Sequence, residues 1–183
     1  ILFATNYSEA KKYFDRYQSN ILGIISDIRF SMKGEIDPEA GIIFIEYVRQ
    51  KEPNIPVMLQ STNEEQSQKA KQIKAVFLNK QSHTLLQDLR SFILKNFGFG
   101  DFIFRNNKGK KLTQAPDLKS LRNKLLKIPK NSLVHHAGSN HFSNWLAARG
   151  EFNLASKFRP LKIGDFSKIE DLRSQMIQDI NTA

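Results

Sequence analysis

The feature that most constrains the fold is the alternation of short apolar runs with amphipathic segments across the first hundred residues. Apolar runs with the length and composition of buried strands occupy residues 1–4, 22–26, 57–60 and 75–78. Between these runs, apolar side chains recur at the helical spacing, as in Ala10, Tyr13, Phe14 and Tyr17. Alternating strands and helices are typical of a parallel sheet covered by helices, so the sequence predicts an α/β fold.

The pattern changes after Phe97. Residues 102–104, followed by Asn106, Gly109 and Leu112, predict a strand and turn that form a short hairpin. Three amphipathic segments then predict helices, and their apolar positions are Leu118, Leu121, Leu125 and Ile128, then Phe142, Trp145 and Leu146, then Ile169, Leu172, Met176 and Ile180. Ser167 and Glu170 have capping-box spacing before the third helix. The sequence therefore predicts one domain over residues 1–97 and a mainly helical module over 98–183.

Charge divides the chain unevenly. Residues 1–100 contain 13 Lys and Arg against 11 Asp and Glu, whereas residues 101–183 contain 15 against 7, so most of the net charge of +10 belongs to the second part. A basic surface attracts nucleic acid or acidic partners, although a solvated face is the commoner explanation. The Phe142–Arg149 segment is rich in aromatics and alanine rather than in base-reading side chains, so nucleic acid is not the predicted partner.

Cysteine is absent, and no apolar stretch approaches the roughly 18 to 20 residues that would cross a bilayer. These observations predict neither disulfides nor thiolate metal sites and no membrane partner, and they favour the cytoplasm. Because the chain opens on a predicted buried strand without methionine, we interpret it as a piece of a longer polypeptide.

Polar side chains end three of the predicted strands. Asp27 follows residues 22–26, Ser61 and Thr62 follow 57–60, and Lys80 follows 75–78. In an open parallel sheet, the carboxyl ends of the strands gather ligands at one edge. A carboxylate nucleophile, a hydroxyl donor and a balancing ammonium could together receive a phosphoryl group. Alternatively, each strand ends in a polar residue simply because loops contact water.

The runs IISDIR at residues 24–29, PNIPVMLQS at 53–61 and FLNK at 77–80 resemble the response-regulator receiver family. The resemblance covers residues 1–95 and implies a flavodoxin-like parallel sheet lacking its first strand. It implies that Asp27 is the phosphoacceptor, Ser61 the switch hydroxyl and Lys80 the phosphate-pairing lysine. It further implies that Phe77 is the aromatic residue of the switch.

The same resemblance implies a Mg²⁺ site that includes Asp27 and the backbone carbonyl of Arg29. The family completes this site with an acidic pair at the end of its first strand, which would lie upstream of Ile1. The Mg²⁺ cofactor is therefore expected only where that pair is present, since Mg²⁺ requires near-octahedral oxygen coordination. The missing strand also leads us to expect that residues 1–4 pair with residues 22–26 or that two copies associate edge to edge.

The second part has the runs FGFGDF at residues 97–102, NHFSNWLAARGEF at 140–152 and GDF at 164–166. Together with His136, they resemble the region that follows a receiver-like domain in bacterial proteins related to phosphoenolpyruvate synthase. The resemblance implies a regulatory region of a larger phosphotransfer protein, whose partners are a phosphodonor kinase or downstream catalytic domains. The chain itself is not expected to be an enzyme, although its parent would be a phosphoenolpyruvate-synthase-like phosphotransferase.

Two alternative functions stay open from sequence: a DNA-binding response regulator, and an interaction domain that is never phosphorylated. His135, His136 and His141 are side chains of a type that could ligate a metal. We interpret these side chains as capping or packing groups instead, because i to i+5 spacing does not place two ligands on one helical face and no acidic residue is near in sequence.

Overall fold

A computed structural model describes all residues from 1 to 183. The chain divides into two compact units, unit 1 from Ile1 to Asn96 and unit 2 from Phe97 to Ala183. Unit 1 is an α/β unit and unit 2 is mainly helical. No helix is both long and apolar enough to cross a bilayer.

Unit 1 contains four helices and five strands. In chain order they are α1 Tyr7–Tyr17, β1 Ile24–Asp27, β2 Phe30–Met32, β3 Glu35–Asp37, α2 Ala40–Lys51, β4 Val57–Ser61, α3 Gln66–Gln72, β5 Val76–Asn79 and α4 Leu85–Asn96. The Asn6 side chain caps the start of helix α1, because it accepts a hydrogen bond from the backbone N–H of Glu9 at 2.9 Å.

The main sheet of unit 1 is parallel, with the strand order β1, β4, β5. Its register pairs Asp27 with Gln60 and Ser61 with Asn79. The carboxyl ends of the three strands therefore lie at one edge of the sheet. This arrangement confirms three of the predicted parallel strands, each shifted by one or two residues at its ends.

The core of unit 1 lies between one face of this sheet and the helices. Val57 and Leu59 of β4 pack with Phe14 of α1, Ile45 of α2 and other apolar residues, all of them buried. The intervening Met58 is also buried and points to the opposite face, because side chains alternate along a strand. Burial on both faces explains why β4 is a continuous apolar run.

The predicted strand at residues 1–4 is wrong. This segment forms no strand, and Ile1 and Phe3 are largely exposed. Strand β1 pairs only with β4, so its other edge receives neither these residues nor any other strand of the chain. An apolar sequence forms a strand only when it finds a pairing partner and a face to cover, and here it finds neither.

The loop after Asp27 is a small antiparallel hairpin of β2 and β3. Lys33 and Gly34 both have positive φ, which matches a two-residue hairpin turn. The sequence pattern did not predict this hairpin. A glycine at the second turn position was the available signal for the hairpin.

Unit 2 contains a hairpin followed by five helices. Its elements are β6 Phe102–Arg105, β7 Lys111–Ala115, α5 Leu118–Leu125, α6 Lys130–Ala137, α7 His141–Ala148, α8 Phe152–Phe158 and α9 Ile169–Asn181. The predicted hairpin and the three predicted helices are present. The sequence pattern predicted neither α6 nor α8, which are eight and seven residues long.

Aromatic side chains build the core of unit 2 beside the hairpin. The ring of Phe102 stacks on that of Phe142 at 4.7 Å between centroids and meets the edge of Trp145 at 5.8 Å. Trp145 Nε1 donates to the Gly100 carbonyl at 2.9 Å. The Arg149 guanidinium lies 3.8 Å from the Trp145 ring centre and also donates to the Gly100 carbonyl. The run around Gly100 is thus a structural turn held by α7.

The predicted capping box at Ser167 and Glu170 is shifted by one residue. The backbone N–H of Lys168 donates instead to the carboxylate of Asp171 at 3.1 Å. Glu170 pairs with Arg173, whose buried guanidinium also donates to the carbonyls of Leu125 and Ile128. Glu170 therefore pairs with Arg173, and Asp171 takes the capping position at the start of α9.

Candidate functional site

Asp27 and Lys80 form an ion pair at the carboxyl edge of the parallel sheet. Lys80 Nζ lies 2.7 Å from Asp27 Oδ2, and the two side chains are 37% and 47% exposed. Asp27 ends β1, and Lys80 directly follows β5, on the far side of the central strand. The long lysine side chain spans the end of β4 to reach the carboxylate. Both groups remain open to a reactant in solvent.

Backbone hydrogen bonds fix the two ends of this pair against β4. The N–H of Ile28 donates to the Gln60 carbonyl at 3.0 Å, and the N–H of Lys80 donates to the Ser61 carbonyl at 3.0 Å. The strand pairing therefore continues one residue beyond Asp27 and through Lys80. Regular pairing positions both side chains without any special loop geometry.

Helix α2 approaches the backbone of Asp27 closely at Gly41. The N–H of Gly41 donates to the Ile28 carbonyl at 2.8 Å. A Cβ added at Gly41 would lie 2.1 Å from the Asp27 carbonyl oxygen and 2.8 Å from the Ile28 Cα. Only glycine permits this approach. The sequence pattern alone did not identify Gly41 as a support of the site.

Ser61 ends β4 at the same edge, and its hydroxyl is engaged in the following loop. Its Oγ accepts the N–H of Asn63 at 3.1 Å. Donation by the backbone N–H leaves the hydroxyl hydrogen of Ser61 available to another acceptor. Ser61 is half-buried at this edge of the sheet.

The other two predicted site residues, Phe77 and Arg29, do not end a strand at this edge. Phe77 of β5 is half-buried and packs against the core of unit 1. Arg29 is exposed in the bend between β1 and β2. Phe77 therefore lies on the edge strand β5 against the core, whereas Arg29 belongs to the loop that follows Asp27.

The residues at this edge fit Mg²⁺ poorly. One carboxylate, already paired with Lys80, and one neutral backbone carbonyl at Arg29 are a weak ligand set for Mg²⁺, which needs octahedral oxygen coordination. Asp27 belongs to no group of three candidate ligand side chains in the structure. We therefore assign no step at this site to a magnesium ion.

Sequence analysis missed a second acidic residue near the sheet edge. Glu64 follows β4, and its carboxylate accepts a hydrogen bond from the Asn79 amide, next to Lys80. Asn79 Oδ1 in turn accepts the N–H of Gln81 at 2.8 Å. Asn79 thus joins the loop after β4 to the loop after β5. No spacing rule in the sequence links residues 64 and 79.

Unit 2 brings together the three histidines that sequence spacing seemed to separate. His135 and His136 lie at the end of α6, and His141 begins α7 after a tight turn. Their candidate ligand nitrogens all lie within 4.8 Å of one another. The i to i+5 spacing would separate these side chains on a single helix. Here two helices supply them, so the prediction from spacing is wrong.

Hydrogen bonds fix the tautomer of the buried histidine. The N–H of Arg105 donates to His136 Nε2 at 2.8 Å, so the proton of the neutral ring is on Nδ1, which lies 3.0 Å from His141 Nδ1. Burial and the neighbouring His141 lower the pKa of His136 to about 3. Burial of the ring and the neighbouring His135 lower the pKa of His141 to about 4. Both rings are neutral at pH 7.

No family model, curated protein or solved structure matches this chain.

Proposed function

We propose that unit 1 is a receiver-like phosphoacceptor unit in which Asp27 accepts a phosphoryl group. The observation that carries the proposal is the ion pair between Asp27 and Lys80 at the carboxyl edge of a parallel sheet. A solvent-open carboxylate beside a fixed ammonium combines a nucleophile with a charge that balances transferred phosphate. These two groups come from the ends of different strands and are in contact. Strand ends that are polar only because they face water would not need to meet.

The proposed reaction needs a donor with a good leaving group, such as an acyl phosphate. An oxygen of the Asp27 carboxylate forms a bond to phosphorus, and the bond from phosphorus to the donor oxygen breaks. The electron pair of that bond leaves with the donor carboxylate, and Asp27 becomes an aspartyl phosphate. Lys80 then pairs with a phosphoryl oxygen instead of the carboxylate, and the Ser61 hydroxyl donates to another.

The proposed switch follows from this exchange of partners. Recruitment of Ser61 would withdraw its Oγ from the Asn63 N–H and alter the loop after β4. Phe77 lies on the neighbouring strand, next to Leu59 in register, where movement of that loop changes the space around its ring. We place this unit within a larger phosphotransfer or phosphoenolpyruvate-synthase-like protein, whose other domains would respond to the switch.

We expect the Asp27→Asn variant to lose phosphate incorporation completely. The amide is neither charged nor nucleophilic enough to replace the carboxylate. The measurement is the intact mass of the protein after incubation with acetyl phosphate, with Mg²⁺ in one series and a chelator in the other. Wild-type protein should gain one phosphoryl group that hydroxylamine removes.

The matched control is Asp15→Asn. Asp15 also pairs with a lysine, Lys51 at 2.6 Å, and is similarly exposed, but it lies on helix α1. This variant should be labelled like the wild type. Absence of labelling in the wild-type protein in both series, or undiminished labelling of Asp27→Asn, would contradict the proposed function.

A further inference from the structure

The cluster of His135, His136 and His141 is a concentration of metal-ligating groups that the proposed phosphoacceptor function does not use. His136 is buried, His135 is half-buried and His141 is exposed. The cluster is therefore fixed in the protein interior at His136 and accessible from solvent at His141. Imidazole nitrogen is the preferred neutral ligand of zinc, copper and nickel ions.

The distances suit a small tetrahedral ion after limited side-chain movement. With metal to nitrogen bonds of about 2.0 to 2.1 Å, two ligands of a tetrahedral zinc site lie roughly 3.3 Å apart. His136 Nδ1 and His141 Nδ1 are 3.0 Å apart, close to that separation. The third ligand nitrogen lies within 4.8 Å of the other two. His135 can close this gap because its ring is only half-buried.

The three rings of the cluster also contact one another directly. Each ring meets another ring at close range, with centroids 4.8 to 5.5 Å apart. The side chains are thus already gathered, and less ordering is needed on binding.

A metal at this site would change one hydrogen bond of the hairpin. The lone pair of His136 Nδ1 becomes available only when the ring proton moves to Nε2, the atom that now accepts the Arg105 N–H. After this shift of tautomer two hydrogens face each other, so the Arg105 N–H must find another acceptor. Arg105 is exposed at the end of β6, where water can serve as that acceptor.

We propose that His135, His136 and His141 form a three-histidine site for a divalent transition ion of the zinc class, with water in the fourth position. Binding replaces the hydrogen bond between the His136 and His141 rings by coordination. It releases the end of β6 from α6 through the change of tautomer at His136. The site lies wholly in unit 2, whereas Asp27 belongs to unit 1.

The direct test is titration of tag-free, chelator-treated protein with Co²⁺. A tetrahedral three-histidine site should give one equivalent of bound cobalt with an intense visible absorption, and Zn²⁺ should displace it. The variant His141→Ala should weaken binding at least about tenfold. His141 is the most exposed of the three residues, so this substitution disturbs the core of unit 2 least.

The control variant is His83→Ala, which removes the remaining exposed histidine of the chain, in unit 1. It should bind cobalt like the wild type. Sub-stoichiometric cobalt without the tetrahedral spectrum, or equal affinity in wild type and His141→Ala, would overturn the site.

A second measurement follows the amide of Arg105 by nuclear magnetic resonance. Diamagnetic Zn²⁺ should shift this resonance strongly in wild-type protein and not in His141→Ala. Stoichiometric Zn²⁺ binding that leaves the Arg105 amide unmoved would show that the ion binds without the change of tautomer, and would overturn the proposed link to β6.

Discussion

Replacing Gly41 by alanine is expected to destabilise unit 1 by about 3 kcal/mol, because the new methyl group overlaps backbone atoms that cannot move independently. The added Cβ would meet the Asp27 carbonyl oxygen at 2.1 Å and the Ile28 Cα at 2.8 Å. Relief requires that helix α2 withdraw from the end of β1. The same withdrawal would displace Asp27 from Lys80, so phosphate incorporation should fall together with stability.

Denaturant unfolding can follow the two units separately. All four tyrosines belong to residues 1–96, and the single tryptophan is Trp145 of unit 2. For Gly41→Ala, the transition reported by tyrosine absorbance should move to lower denaturant, while the Trp145 transition stays in place.

The control for Gly41→Ala is Gly164→Ala. A Cβ at Gly164 meets no atom within 4 Å, so the change in stability should stay within about 0.5 kcal/mol. A Gly41→Ala protein as stable as the wild type would show that α2 does not press on β1 in solution.

Replacing Phe102 by alanine is expected to destabilise unit 2 by about 3 to 5 kcal/mol. Phe102 is 4% exposed and lies at the centre of the aromatic cluster, against Phe104, Phe142 and His136. Truncation leaves a cavity between the hairpin and α7 and removes the stacked contact with Phe142. A loss of this size is a large fraction of the stability of a small unit.

Trp145 fluorescence measures this effect directly, because its ring meets Phe102 edge to face. The Trp145 transition of Phe102→Ala should move to lower denaturant, and the tyrosine transition of unit 1 should not. The control Phe152→Ala removes the same atoms from a residue that is 53% exposed, so it should change stability by no more than about 0.5 kcal/mol. Equal effects of the two substitutions would contradict the position of Phe102 in the core.

The local pattern of apolar residues in the sequence was sufficient to predict many of the strands and helices. The apolar run at residues 57–60 and the spacing of Tyr13, Phe14 and Tyr17 correspond to a strand and a helix of the structure. The polar ends of the runs also placed Asp27 and Lys80 at one edge, where they are in contact. These inferences succeed because side-chain periodicity and the parallel arrangement of strands are set by backbone geometry.

Residues 1–4 show where the same reasoning fails. Their composition is that of a strand, yet strand formation depends on a neighbouring strand and a surface to cover. Composition shows that a segment is compatible with a strand, but the segment becomes a strand only where another strand pairs with it. The edge of β1 that faces away from β4 pairs with no other strand of this chain.

The sequence by itself determined the α/β character of unit 1, the hairpin of unit 2 and the residues that meet at the sheet edge, because these depend on periodicity and strand order. Only the tertiary structure decided that Gly41 touches the Asp27 backbone and that His136 meets His141 across a turn. These contacts join residues from different elements at distances of a few ångströms. They arise from how helices and strands pack, which no spacing along the chain encodes.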